Sequence, residues 1–120
     1  MKTSELEGAV LDYWVARSLG IRSRMEYYPL NPPKPIACWR IVDGSPDFSK
    51  PFSPSTVLEH GEPIIEKYNI ITRYNDLTGR REYESYVPES GQASATRGPT
   101  KLIAAMRALV ASKFGEEVGD

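Results

Sequence analysis

From Leu102 to Phe114 the chain interrupts its apolar residues only with Arg107, Ser112 and Lys113, and no other stretch restricts the fold as strongly. A helix that is apolar on nearly every side has to be enclosed by other elements rather than laid on a surface. Gly98-Pro99-Thr100 ahead of it supplies a stop, a rigid entry and a cap, and Gly115 ends it. Alanines at 104, 105, 108 and 111 allow a neighbour to approach closely, while Leu102, Ile103, Met106, Leu109 and Val110 supply most of the apolar volume. That burial is open to completion across a dimer interface, so monomer and homodimer both stand.

A second helix is expected near the start. Thr3 or Ser4 is its cap, and Ser4 followed three residues later by Glu7 forms a capping box. Leu6, Val10, Tyr13 and Trp14 then lie along one side, extended by Ala9 and Ala16, and Gly20 stops the helix.

Between these ends the chain is governed by proline. Tyr28 to Pro35 carries four prolines, which excludes helix and central strand and predicts an extended, stiff connector. Ile36 to Val42 reads as a strand bounded by Asp43-Gly44. Ser45 to Pro54 reads as a surface loop pinned by Phe48 and Phe52. Short helices are expected at Ser55 to His60 and at Glu62 to Tyr68, the latter with Pro63 in its first turn; a strand around Ile64 and Ile65 is the rival. Ile70 to Tyr74 and Arg81 to Val87 form a hairpin around Asn75 to Gly79, and Glu89 to Arg97 is small and polar enough for a mobile connection. The expected fold is α+β: a small antiparallel sheet with a β-hairpin, packed against N- and C-terminal helices, with long Pro-rich loops, all in one domain over residues 1–120.

Charge and cysteine content narrow the function classes. Fifteen basic against sixteen acidic side chains leave a net charge of -1, so no whole-molecule field draws the chain to phosphate or anionic lipid. No apolar run spans a bilayer and the first residues lack a secretion-signal pattern, so a cytoplasmic protein with no membrane partner is expected. A lone cysteine, Cys38, and a lone histidine, His60, exclude an internal disulfide and a Cys/His zinc site within a monomer, and no cofactor is expected.

Each candidate site has an ordinary structural explanation beside it. Cys38 with His60 would make a nucleophilic dyad only if the fold joined them, and Cys38 in an apolar strand otherwise behaves as a small hydrophobe. Glu62 and Glu66 share a helix face as an acid/base or cation-binding pair would, yet early carboxylates also complement a helix dipole. The amides at Gly98-Pro99-Thr100, with Arg97 and Lys101, fit an anion as well as a plain cap. Arg73, Arg80 and Arg81 with Tyr74, Tyr83 and Tyr86 supply phosphate-binding and stacking groups, but Asp76, Glu82 and Glu84 interleave as in a solvated strand face with ion pairs. Pro29-Leu30-Asn31-Pro32 and Pro32-Pro33-Lys34-Pro35 are loose PxxP segments. The preferred interaction surface is therefore Tyr27, Tyr28, Pro32 and Pro33 with Phe48 and Phe52 from the second loop.

Three blocks resemble one family. The run from Gly98 to Gly115, the opening Thr3-Ser4-Glu5-Leu6-Glu7-Gly8-Ala9, and Phe52-Ser53-Pro54-Ser55-Thr56 leading to Gly61-Glu62-Pro63-Ile64-Ile65-Glu66 are similar to the phage NinX-like family of small phage and prophage proteins. The sequence departs from that pattern at Val57-Leu58, where tryptophan is frequent, and at Lys101, where proline is frequent. The resemblance implies an accessory role in a phage or prophage, with no assigned reaction, cofactor or catalytic residue. The leading expectation is a non-enzymatic protein-interaction module whose partner is a host or phage protein. A nucleic-acid-binding accessory module using Arg73, Arg80 and Arg81 is the alternative, and a small enzyme with an unrecognised site is the third.

Overall fold

The computed structural model describes residues 1–76, 79, 82–90 and 95–119. Among these residues three α-helices, α1 (Gly8–Ser18), α2 (Leu58–Tyr68) and α3 (Lys101–Phe114), accompany six strands in two antiparallel sheets. The first sheet has the order β1-β2-β3, from β1 (Ser23–Tyr28), β2 (Lys34–Val42) and the two-residue β3 (Ser45–Pro46). The second has the order β4-β5-β6, from β4 (Ile71–Asn75), β5 (Glu82–Tyr86) and β6 (Thr96–Gly98). The fold is α+β, with two small sheets where one was expected.

Helix α1 lies between the first sheet and α3, while α3 lies between α1 and the second sheet, with α2 against its flank. This stacking explains the composition of α3. Its residues Ala104 to Val110 are all buried, because a sheet, two helices and the N-terminal segment surround it. Thr100 caps it as expected, its Oγ1 accepting from Ile103 N at 3.1 Å. Gly98 lies so close to α3 that a Cβ there would stand 2.7 Å from Ala104 N.

The start of the chain departs from the capping-box expectation. Residues Thr3–Glu5 form a 3-10 turn, the chain extends at Leu6 and Glu7, and α1 begins only at Gly8 with no side-chain cap. A long-range partner takes Thr3 instead: its hydroxyl donates to the Gly115 carbonyl at 2.7 Å and its N–H to Glu116 O at 2.9 Å. Tertiary pairing of the two ends has displaced the local cap. The buried side also shifts, to Leu11, Asp12, Trp14, Val15 and Ala16, leaving Val10 and Tyr13 half-buried. A helix with neighbours on two sides buries more than a single stripe.

Three further differences lie between the two ends. Pro29 to Pro33 are the tip of a hairpin joining β1, which the sequence did not announce, to β2; Pro35 lies inside β2 opposite Tyr27. The two short helices expected after Pro54 are one helix, α2, with Pro63 in its interior rather than its first turn. Pro63 is exposed, so the Glu59 carbonyl that loses its helical donor can be met by water. Thr96–Gly98, which overlaps the end of the segment expected to be a mobile connection, pairs with β5 as β6. Among the described residues no helix is long and apolar enough to cross a membrane.

Candidate interaction surface

In the first sheet, side chains alternate between a face turned to α1 and a face turned away from it. Cys38 and its cross-strand neighbour Met25 face α1, and Cys38 is 1% exposed. The outer face carries Arg24 opposite Trp39, Glu26 opposite Ala37, Tyr27 opposite Pro35, and Ile41 opposite Pro46. A β-bulge between Glu26 and Tyr27 is what returns Tyr27 to this side. Phe48 reaches back from the following loop and meets Trp39 edge-on, ring centroids 5.2 Å apart. Ala37, Trp39 and Ile41 take no part in the buried apolar cluster of the core.

The residues singled out from the sequence fall on both sides of this boundary. Tyr27, Tyr28, Pro32, Pro33 and Phe48 are exposed, together with Leu30, Ile36 and Val42. Phe52 is not: it is buried, its N–H donates to Cys38 O at 2.8 Å, and the His60 ring stacks on it. It anchors the loop from inside and presents nothing to a partner. Trp39 was missed as a surface residue, because an apolar run read without its period-2 alternation hides which side chains face outward.

The loop at residues 52–57, which meets β2 through the Phe52 N–H, is held by side-chain acceptors from α1 and α2. Ser53 N donates to His60 Nδ1 at 3.0 Å, and Ser55 N donates to Asp12 Oδ1 at 2.9 Å. Burial pushes the Asp12 carboxyl up to about 6, against the smaller opposing pull of the Ser55 hydroxyl and amide. Burial likewise pushes the Cys38 thiol up to about 11, the Ser23 hydroxyl opposing and the nearby Asp12 charge adding to the rise. Cys38 is thereby held as the thiol, and among the described residues no hydrogen bond joins it to His60, whose Nδ1 is occupied by Ser53. Glu62 and Glu66 are exposed on α2, and the described residues contain no cluster of three metal-ligating side chains.

In the second sheet the basic and aromatic groups part company. Arg73 and Arg97 flank Glu84 at 3.6 Å and 3.3 Å, a cross-strand ion-pair arrangement. Tyr74 and Tyr83 contact each other, centroids 5.2 Å apart, on the opposite face of those strands from Arg73 and Glu84. Arg80 and Arg81 lie outside the described residues. An open cavity of about 490 Å³ lies between this sheet and the start of α3, lined by Ser55, Thr56, Tyr83 and residues 99–103. Its Thr100 hydroxyl and Ser55 amide are committed to the fold by the contacts above.

Comparison with known proteins adds one finding: the family model described as Bacteriophage P22, NinX matches residues 2–113. No curated protein matches the chain.

Proposed function

The chain belongs to the bacteriophage P22 NinX family, and from that premise we propose that this phage-derived accessory protein works as a non-enzymatic interaction module. Its partner is a host or phage protein, and the docking surface is the outer face of the first sheet with the hairpin tip: Tyr27, Tyr28, Pro32, Pro33, Trp39 and Phe48. The carrying observation is the concentration of exposed apolar side chains there. Tyr27 and Phe48 on the outer face and Tyr28 and Leu30 at the hairpin tip are 49–62% exposed, whereas the exposed Ile36 and Val42 share the parity of Cys38 and project from the other side of the sheet. Clustered apolar exposure marks contact surfaces in folded proteins. The cytoplasm is the compartment this reading assigns, in keeping with a free, buried Cys38.

The test is affinity capture of the tagged chain from infected-cell lysate after nuclease treatment, wild type beside Tyr27→Ser/Tyr28→Ser, two exposed side chains. A protein retained by the wild type and lost from the variant supports the reading. Identical protein sets from both, or retention only without nuclease, overturn it.

A further inference from the structure

We propose that the outer face of the first sheet receives an extended, acidic segment of the partner protein, with carboxylates over Arg22 and Arg24 and an apolar side chain in the place Phe48 occupies against Trp39. This rests on the interaction reading above and gives the partner its chemistry. Along β1 the outward row begins with Arg22, whose carbonyl accepts from Ile41 N at 2.9 Å, and continues with Arg24 opposite Trp39. Both arginines are exposed, and among the described residues neither side chain makes a hydrogen bond or an ion pair.

Beside them the Trp39 indole Nε1 is buried and has no acceptor among the described residues. A buried donor left without an acceptor is costly, and Phe48, the ring that packs on Trp39, has no acceptor atom in its side chain to offer. Two guanidinium groups and one indole N–H present donors and no acceptor, so the complementary ligand brings oxygen atoms, and carboxylates satisfy all three. The apolar neighbours Ala37, Ile41 and Pro46 ask for aliphatic or aromatic contacts between those oxygens.

Glu26 decides between a peptide and a nucleic-acid strand. It follows Arg24 in the same outward row, so a continuous phosphate backbone along β1 meets a carboxylate within two residues of its cations. A peptide places its charges discretely and sets a neutral or basic residue there. The ligand therefore has polarity: acidic at the Arg22–Arg24 end, apolar or basic towards Glu26 and Tyr27.

The experiment is selection of a displayed random-peptide library on the immobilised full-length chain, followed by affinity measurement of the enriched peptides on wild type, Arg22→Gln/Arg24→Gln and Phe48→Ala. All three altered side chains are exposed. Circular dichroism checks each variant's fold. The expected result is enrichment of Asp and Glu beside aromatic residues, and affinity that falls at least about tenfold in the arginine variant and weakens with salt. The Trp39 indole proton, assigned with Trp39→Phe, moves downfield on binding. Enriched peptides without acidic excess, undiminished affinity in the arginine variant, or no enrichment overturns the proposal. Non-acidic peptides lost on Phe48→Ala would overturn it while leaving the interaction reading standing. Tighter binding of an oligothymidylate at this face, competing with the peptides, would assign the surface to nucleic acid.

Discussion

Arg107 on α3 donates its Nε proton to the carbonyl of Leu6 at 2.8 Å, across 101 positions of sequence. A second nitrogen of the same guanidinium donates to Arg97 O in β6, also at 2.8 Å. One nearly buried side chain therefore ties the N-terminal segment and the third strand of the second sheet to the central helix.

Replacing Arg107 with Met keeps the apolar stem and removes both donors. Two carbonyls inside the fold then lose charged partners, and the expected loss is about 2–4 kcal/mol of unfolding free energy by urea titration. Hydrogen exchange should rise first at Thr96–Gly98 and around Leu6. A loss under about 0.5 kcal/mol would mean that water replaces the guanidinium at no cost.

Asp12 makes stability depend on pH in the reverse of the usual carboxylate direction. Its folded pKa, about 6, lies above the ordinary 3.8, so the native state binds the proton more tightly than the unfolded chain. This group's contribution is most favourable below pH 4 and declines as pH rises through 6, by about 3 kcal/mol in total. Asp12→Asn retains an oxygen to accept from Ser55 N and cannot ionise. The variant should match wild type near pH 4 and exceed its stability at pH 7, and a difference independent of pH would show that Asp12 does not titrate in this range.

Gly61 sits inside α2, where helix propensity alone favours alanine by about 1 kcal/mol. A Cβ there would stand 2.6 Å from the Pro54 carbonyl oxygen and 2.6 Å from Leu102 Cδ2. Leucine can rotate away, but the Pro54 backbone is fixed by the loop around it. Gly61→Ala is therefore expected to destabilise by about 1–3 kcal/mol, reversing the propensity sign, and thermal melting of the variant checks it.

Cys38 should resist thiol reagents in the folded protein. With its thiol pushed to about 11 and 1% exposed, labelling at pH 8 requires opening of the first sheet from α1. The rate in buffer should be at least about a hundredfold below that in denaturant; comparable rates would place the sulfur at the surface.

Patterns that repeat within a few residues were legible in the sequence. The enclosed character of α3, its Thr100 cap, the strand through Trp39 and the β4–β5 hairpin all follow from local periodicity and turn chemistry. Loose spacing at the ends misled, since Ser4 and Glu7 match the spacing of a capping box that does not form, while Thr3 bonds Gly115 and Glu116. The outward set on the first sheet was half visible: Tyr27 and Phe48 announced themselves beside prolines, while Arg22, Arg24 and Trp39 did not.

What the sequence determined by itself is which segments are apolar, where prolines forbid a regular backbone, and that one helix needs neighbours on every side. Only the tertiary structure decided which neighbours those are. It turned Phe52 inward and Phe48 outward four residues apart, placed Asp12 under the Ser55 amide, and gave Arg107 two carbonyls from distant segments. The physical reason is range: helix and strand periods are set by adjacent residues, whereas burial and hydrogen-bond pairing depend on which surfaces meet.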